Sequence, residues 1–219
     1  MEKIQNKDFI EIDYTGRLED GTIFDTTKEK AADDAKIPHN HNNLKPAIIC
    51  VGEKQLLPGL DKGLEGQEVG KEFLLTLQPE DAFGKRDVKN VEMMPLSVFK
   101  EHKMQPRPGL QFDADGRRGV ITKVAGGRVI VNFNHPLAGK TVVYTCTINK
   151  KITDIKEQIE SFLSTTLRIG REHMVASITE GKANVELPLQ LPPQFTGALT
   201  EKLKELTKVD VEFKVKVNN

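Results

Sequence analysis

The stretch Gln55–Gly84, QLLPGLDKGLEGQEVGKEFLLTLQPEDAFG, constrains the fold more tightly than any other part of the chain. Leu56, Leu57, Leu60 and Leu64 recur at helical spacing and make a compact apolar face. Gly59 and Gly63 interrupt it. Glycine inside a helix costs stability, so both point to close packing or a need for bare backbone. Glu65-Gly66 and Val69-Gly70 end the helix and turn the chain. Phe73, Leu75 and Leu77 then alternate with Glu72, Leu74, Thr76 and Gln78, the period of a strand. Pro79 stops that strand, and Glu80–Gly84 follows as a loop.

Upstream, Ile10, Ile12 and Tyr14 alternate with polar residues, which predicts a strand with one buried face. Asp20-Gly21 is a turn signal, and Thr22–Asp25 resumes as the second arm of a hairpin. Residues 26–46 are polar and aperiodic. They read as a surface loop with a helical turn over Lys28–Ala35. His39 and His41 lie in this loop, with Asp33 and Asp34 upstream. Two nitrogens with nothing to fix them make a poor metal site, so no metal is expected. Ala47–Val51 is a short apolar strand.

After Gly84 the pattern changes. Val88–Met93 and Leu96–Phe99 are apolar, and Gln105–Gly109 is proline-rich. Three short strands follow over Leu110–Ala114, Val120–Val124 and Val129–Phe133, with turns at Asp115-Gly116 and Gly126-Gly127. Over Thr141–Ile148, Tyr144, Cys146 and Ile148 share one strand face. A third segment opens with a helix capped at Thr153 and carrying Ile155, Ile159, Phe162, Leu163 and Leu167. Strands over Met174–Ile178 and Ala183–Leu187 come next, and Pro188, Pro192 and Pro193 break the chain. Leu199, Leu203 and Leu206 mark a second helix. Val209, Val211, Phe213, Val215 and Val217 mark a last strand with one buried face. About 65 residues is near the lower limit for a self-sufficient core, so this α-β-β-α-β segment is expected to form a homodimer.

Lys and Arg number 32 and Asp and Glu also 32, so charge gives no argument for nucleic acid or an anionic membrane as partner. No apolar run reaches membrane length, and the polar start Met1–Lys7 does not read as a signal peptide, so the expected location is the cytoplasm. Cys50 and Cys146 sit in apolar strand patterns and read as buried thiols, not a disulfide. Hydrolase, kinase and dehydrogenase patterns do not occur.

The ordered pieces Leu57–Leu60 (L-P-G-L), Leu64–Gly66, Val69–Lys71 and Pro79–Gly84 (P-E-D-A-F-G) closely resemble the FKBP-type prolyl isomerases, as does Tyr14–Asp25 (Y-T-G-R-L-E-D-G-T-I-F-D). Asn132–Lys140, N-x-N-H-P-L-A-G-K, resembles the SlyD-like branch, whose members carry an inserted flap domain at this place. The His/Cys-rich metal tail of the bacterial members is missing, and the long archaeal members with an extra C-terminal domain match better. The resemblance implies an α+β fold with an antiparallel half-barrel sheet wrapped on a short helix. It implies residues 1–84 and 139–152 as the isomerase domain, 85–138 as the inserted β-rich flap, and 153–219 as a C-terminal domain through which two copies would pair.

It also implies a pocket. Tyr14, Phe24, Leu56, Leu57, Leu60, Phe83 and Tyr144 match the family's wall positions, with Asp25 as the polar edge and the Leu57 backbone N–H as donor to a substrate carbonyl. Leu60 replaces a common tryptophan floor, and Phe83 replaces a common tyrosine; both substitutions keep the pocket apolar. Periodicity alone would read Phe24, Leu57, Leu60 and Tyr144 as core packing. Asp25 reads equally as a backbone-bonding turn residue or as a group that orients Tyr14 or polarises the amide. Met93, Met94, Val98 and Phe99, with Met104 and Leu110, are either the flap's own core or an adaptable surface for unfolded chains. The implied partners are unfolded or proline-containing polypeptides. No cofactor is expected, and the rival reading is a holdase with little isomerase activity.

Overall fold

The computed structural model describes residues 2–38, 44–114 and 116–215. The chain divides into two compact units, Met1–Leu77 with Val142–Asn219, and Gln78–Thr141. His39 and His41, Asp115 of the Asp115-Gly116 turn, and Val217 of the last expected strand lie outside the described residues.

The first unit begins with β1 (Phe9–Leu18) and β2 (Ile23–Thr26), antiparallel across the Asp20-Gly21 turn. A short helix α1 (Glu29–Asp34) follows, then β3 (Ala47–Cys50), which also pairs with β1. Helix α2 (Pro58–Gly63) starts with proline at its first turn, where a missing N–H is harmless. Gly66 and Gly70 both have φ near +80°, and they return the chain into β4 (Glu72–Leu77). Helix and strand approach closely: a Cβ on Gly63 would fall 2.5 Å from Leu75 Cδ1. That accounts for a glycine inside an apolar helix face.

The second unit holds β5 (Val91–Pro95), α3 (Leu96–Glu101), β6 (Gln111–Ala114), β7 (Arg117–Ala125) and β8 (Arg128–Asn132). Its four-stranded sheet has the order β5-β8-β7-β6, with Gly126 and Gly127 at positive φ in the β7–β8 hairpin. Phe99, Ile121, Val129 and Val131 are its buried core. Buried Asn134 ties its ends together. Its Oδ1 accepts from Asp87 N at 2.8 Å, and its Nδ2 donates to Asp87 O at 2.9 Å.

Strand β9 (Val142–Lys151) returns the chain to the first sheet, between β1 and β4. Leu77 and Val142 are register partners, so the intervening chain leaves and rejoins this sheet at neighbouring points. Val142, Tyr144, Cys146 and Ile148 alternate inward along β9. The two cysteines are buried and free.

Helix α4 (Ile155–Leu167) is capped by Asp154, one residue later than Thr153. The Asp154 carboxylate accepts from Glu157 N at 2.7 Å, and its charge also suits the positive end of the helix dipole. Strands β10 (Val175–Thr179) and β11 (Lys182–Leu187) pair antiparallel across Glu180-Gly181, both at positive φ. Helix α5 (Pro193–Thr207) then leads to β12 (Asp210–Val215), parallel to β11. Pro192 and Pro193 start this helix, as N-cap and first residue, where the sequence suggested only a break.

The sequence predicts one buried face for β1. Both Phe9 and its neighbour Ile10 are almost fully buried, so the start of the strand is covered on both sides. Phe9, Cys50 and Ile152 belong to one core with Ile159, Leu163, Val185 and Leu203 of the C-terminal segment. Lys202 of α5 adds an ion pair to Glu53 at 2.7 Å. Because the core is continuous, Phe9→Ala is expected to cost about 3–5 kcal/mol. Thermal unfolding followed by far-UV and near-UV circular dichroism should show one lowered transition. Loss of the C-terminal segment alone, with the sheet unaffected, would contradict a shared core.

Candidate active site

β1 changes partners along one edge. Residues 9–12 pair with β3 and residues 15–17 with β2, which leaves Asp13 and Tyr14 between the two ladders. Two threonines complete the hydrogen bonding there. Tyr14 N–H donates to Thr27 Oγ1 at 3.0 Å, and Thr26 Oγ1 donates to Tyr14 O at 3.1 Å. Thr27 Oγ1 donates in turn to Asp13 Oδ1 at 2.7 Å.

The Tyr14 ring meets Tyr144 edge-on, with centroids 5.8 Å apart and planes at 64°. Phe24 meets the same Tyr144 ring at 5.8 Å and 87°. Such edge-to-face pairs hold rings in place by their quadrupoles as well as by burial. Gly16 is part of this arrangement. A Cβ there would fall 2.8 Å from Phe24 and 2.9 Å from Tyr144, so the rings close over bare backbone. The sequence reading did not single out Gly16; its signal is a glycine between two aromatic positions.

Tyr14, Asp25, Leu56, Leu57, Leu60 and Tyr144 line one cleft of about 340 Å³, together with Gln55 and Pro58. Leu57 caps α2 with its backbone extended, and its carbonyl accepts from Asp61 N. Among the described residues nothing accepts from the Leu57 N–H, which stands at the start of the helix. Asp61 secures the turn before it. Its buried carboxylate accepts from Gly52 N at 2.9 Å and Lys54 N at 3.0 Å. Gln55 Oε1 accepts from Cys50 N at 2.7 Å. Neither Asp61 nor Gln55 was anticipated from the sequence, because their partners are loop amides that no pattern marks.

Burial raises the Tyr14 hydroxyl to about 12, with the nearby Asp25 charge adding to the shift. Burial, then Asp25, raises Tyr144 as well. Both phenols therefore stay neutral in ordinary solution. Burial also raises Asp25, offset in part by a backbone hydrogen bond at Thr26. No hydrogen bond joins Asp25 to either phenol among the described residues, so its influence on Tyr14 is through charge. Such an arrangement can grip an apolar ring, exclude water and offer a few directed donors. It contains no nucleophile paired to a base, and thiols raised to about 12 are unreactive.

Phe83 belongs to the other unit, where its ring stacks on His135 at 4.6 Å, nearly parallel. Met93, Met94, Val98 and Phe99 lie in that unit too. Phe99 is buried core, Met94 and Val98 pack against it, and Met93 is 58% exposed.

The cleft thus joins two tyrosines of an antiparallel sheet to the start of a short, proline-started helix. The family model for FKBP-type peptidyl-prolyl cis-trans isomerases matches residues 1–113, and a model described as the FKBP26 IF domain matches residues 92–137. The short-type peptidyl-prolyl cis-trans isomerase of Methanocaldococcus jannaschii is 32% identical over 145 residues, 66% of this chain and 92% of the relative. The SlyD isomerase of Vibrio cholerae is 32% identical over 67% of both chains. The FKBP-type 16 kDa isomerase of Escherichia coli is 30% identical over 64% of this chain and 89% of its own. The chain belongs to the FKBP-type peptidyl-prolyl cis-trans isomerase family, an enzyme family, and its relatives include SlyD proteins.

Two outcomes follow from this geometry. Asp61→Ala strips two partly buried N–H groups of their acceptor and should cost about 1–3 kcal/mol. In a urea titration Asp61→Asn should lose less, since it keeps one acceptor. Asp25 has a raised folded pKa, so its proton favours the folded state below the ordinary value of 3.8, and that benefit is lost as pH rises through the folded value. Asp25→Asn should therefore raise Tm at pH 7, with the gain fading as pH falls through the raised folded value and absent below the ordinary value of 3.8. A lower Tm at pH 7 would show that the carboxylate is stabilised by its surroundings.

Proposed function

We propose that this chain catalyses rotation about X–Pro bonds in the cleft of Tyr14, Phe24, Leu56, Leu57, Leu60 and Tyr144. The observation that carries this reading is the closed edge-to-face set of Tyr14, Tyr144 and Phe24 beside the unpaired Leu57 N–H. The barrier to be lowered is ~20 kcal/mol and arises from amide resonance. A planar amide is polar; a twisted one has lost resonance and is less so. A water-poor aromatic pocket favours the twisted form, and binding energy on the proline ring is spent on that distortion. The Leu57 N–H holds a substrate carbonyl. Asp25 sets the field at the pocket edge and performs no proton transfer.

In this reading residues 85–138 form an inserted flap that collects unfolded, proline-containing chains for the pocket. Met93, Val88 and Val91 support it, being apolar and exposed in a small unit. Met94, Val98 and Phe99 shape the surface beneath. The protein acts in the cytoplasm, consistent with the lack, among the described residues, of any helix long and apolar enough to cross a membrane. It works as a homodimer through residues 153–219, where Val175, Ile178, Leu189, Phe195 and Val215 are exposed apolar side chains.

The test compares the intact chain with one in which residues 85–138 are replaced by a short loop. Each is assayed on a short proline peptide and on an unfolded protein whose refolding waits on proline. The expected result is a peptide rate that survives and a protein rate that falls by more than tenfold. If neither form accelerates either reaction while the intact chain still suppresses aggregation, the protein is a holdase and the isomerase reading falls. Sedimentation velocity on the intact chain reads the dimer directly.

A further inference from the structure

A second, larger groove of about 530 Å³ adjoins the prolyl cleft and shares Tyr14, Gln55 and Leu56 with it. One wall is β3 and the residues just before it. The other is the polar face of α4, with Glu157, Ser161, Ser164 and Thr165. All of these residues lie in the first unit.

Two features of this groove are those of an unfilled binding site. The first is Gln55. A backbone N–H can only donate, so the Gln55 atom facing Cys50 N must be oxygen, which fixes the amide orientation. Its Nε2 is then a buried donor with no partner among the described residues. Buried donors are rarely left unpaired. The second is the edge of β3, which among the described residues has no strand on its outer side. Val51 N–H bonds to Asp8 O, and Phe9 O accepts from Ile152 on the opposite side of β1. The antiparallel alternation therefore turns the main-chain groups of Cys50 and Ile48 outward. Gln55 uses Cys50 N, and Ile48 is left facing the groove.

Across from this edge, the α4 hydroxyls already donate within the chain. Ser161 Oγ donates to Glu157 O at 2.6 Å, Ser164 Oγ to Ile169 O at 2.7 Å, and Thr165 Oγ1 to Ser161 O at 3.1 Å. Their free lone pairs can only accept. The groove thus offers a donor and an acceptor on the sheet side and acceptors on the helix side, the requirements of an extended main chain.

We propose that this groove binds the substrate segment flanking the proline, in extended form along the outer edge of β3, with Gln55 Nε2 donating to one of its carbonyls. The inference rests on the isomerase reading. It gives the C-terminal helix α4 a share in substrate binding, through main-chain groups that tolerate varied side chains.

The test uses kcat/KM of the intact chain for a proline tetrapeptide and for the same peptide extended by about four residues on each side. The longer peptide should be favoured by roughly tenfold, the worth of one well-made buried hydrogen bond and its partner. Thr165 is exposed on α4, and Thr165→Trp places an indole in the groove. It should erase most of that advantage and leave the tetrapeptide rate in place. Gln55→Glu keeps the acceptor for Cys50 N and replaces the donor by oxygen. It should depress the long peptide more than the short one. Equal rates for both peptides in the intact chain, or an advantage that survives Thr165→Trp, would overturn the groove while leaving the prolyl pocket standing. Failure of the intact chain on both peptides would remove the isomerase reading, and this inference with it.

Discussion

The cleft depends on a change of partner in the middle of β1. On one side β1 runs against β9 for most of its length, and that ladder is continuous enough to hold a sheet. On the other side β3 takes residues 9–12, β2 takes residues 15–17, and Asp13 and Tyr14 fall between. A strand edge open in the body of a sheet would leave peptide groups unpaired, at about 1–3 kcal/mol each. The Thr27 backbone N–H and the hydroxyls of Thr26 and Thr27 meet that cost. The Tyr14 ring meets Tyr144 as a diagonal neighbour on the opposite, β1–β9 ladder.

The same reasoning explains what could be read from the sequence and what could not. The helix–turn–strand over Gln55–Gly84 was legible because it rests on local periodicity and on glycines at forced positive φ, such as Gly66 and Gly70. The aromatic set was legible only through family resemblance, because alternation places Tyr144 and Phe24 on inward faces without saying that they meet. The burial of Phe9 was invisible. It depends on Cys50, its register partner forty-one residues on, and on α4 covering the far side. Asp61 and Gln55 were missed for a related reason. Each serves loop amides, and a polar residue beside an apolar helix face looks like solvent-facing surface until the loop is in place. Pro192 and Pro193 read as a break because proline ends helices more visibly than it begins them.

The C-terminal segment changes the energetics of the sheet it covers. A segment of about 65 residues is marginal alone. Here its core runs on into Phe9, Cys50 and Ile152, so part of its apolar burial comes from the sheet. The contribution is mutual, since β3 is short and lies on an edge, where unassisted strands fray. Lys7 and Lys202 hold the Glu205 carboxylate down to about 2, in an exposed pair of contacts that steers orientation more than it adds stability. One face of α4 thus packs on this core, and Glu157, Ser161, Ser164 and Thr165 line the groove.

Two donors, Leu57 N–H and Gln55 Nε2, stand unpaired among the described residues, and both residues line the same cleft. In a folded chain with nothing bound, each is a standing cost. In the proposed reading a substrate carbonyl relieves each of them, so part of the binding energy is already set aside before a peptide arrives. That arrangement suits an enzyme whose reaction breaks no covalent bond. With no acid, base or nucleophile to supply rate, it must hold the peptide on both sides of a rotating bond and leave the bond itself in a dry place. In the proposed reading the aromatic rings supply the dryness, and the two donors supply the hold.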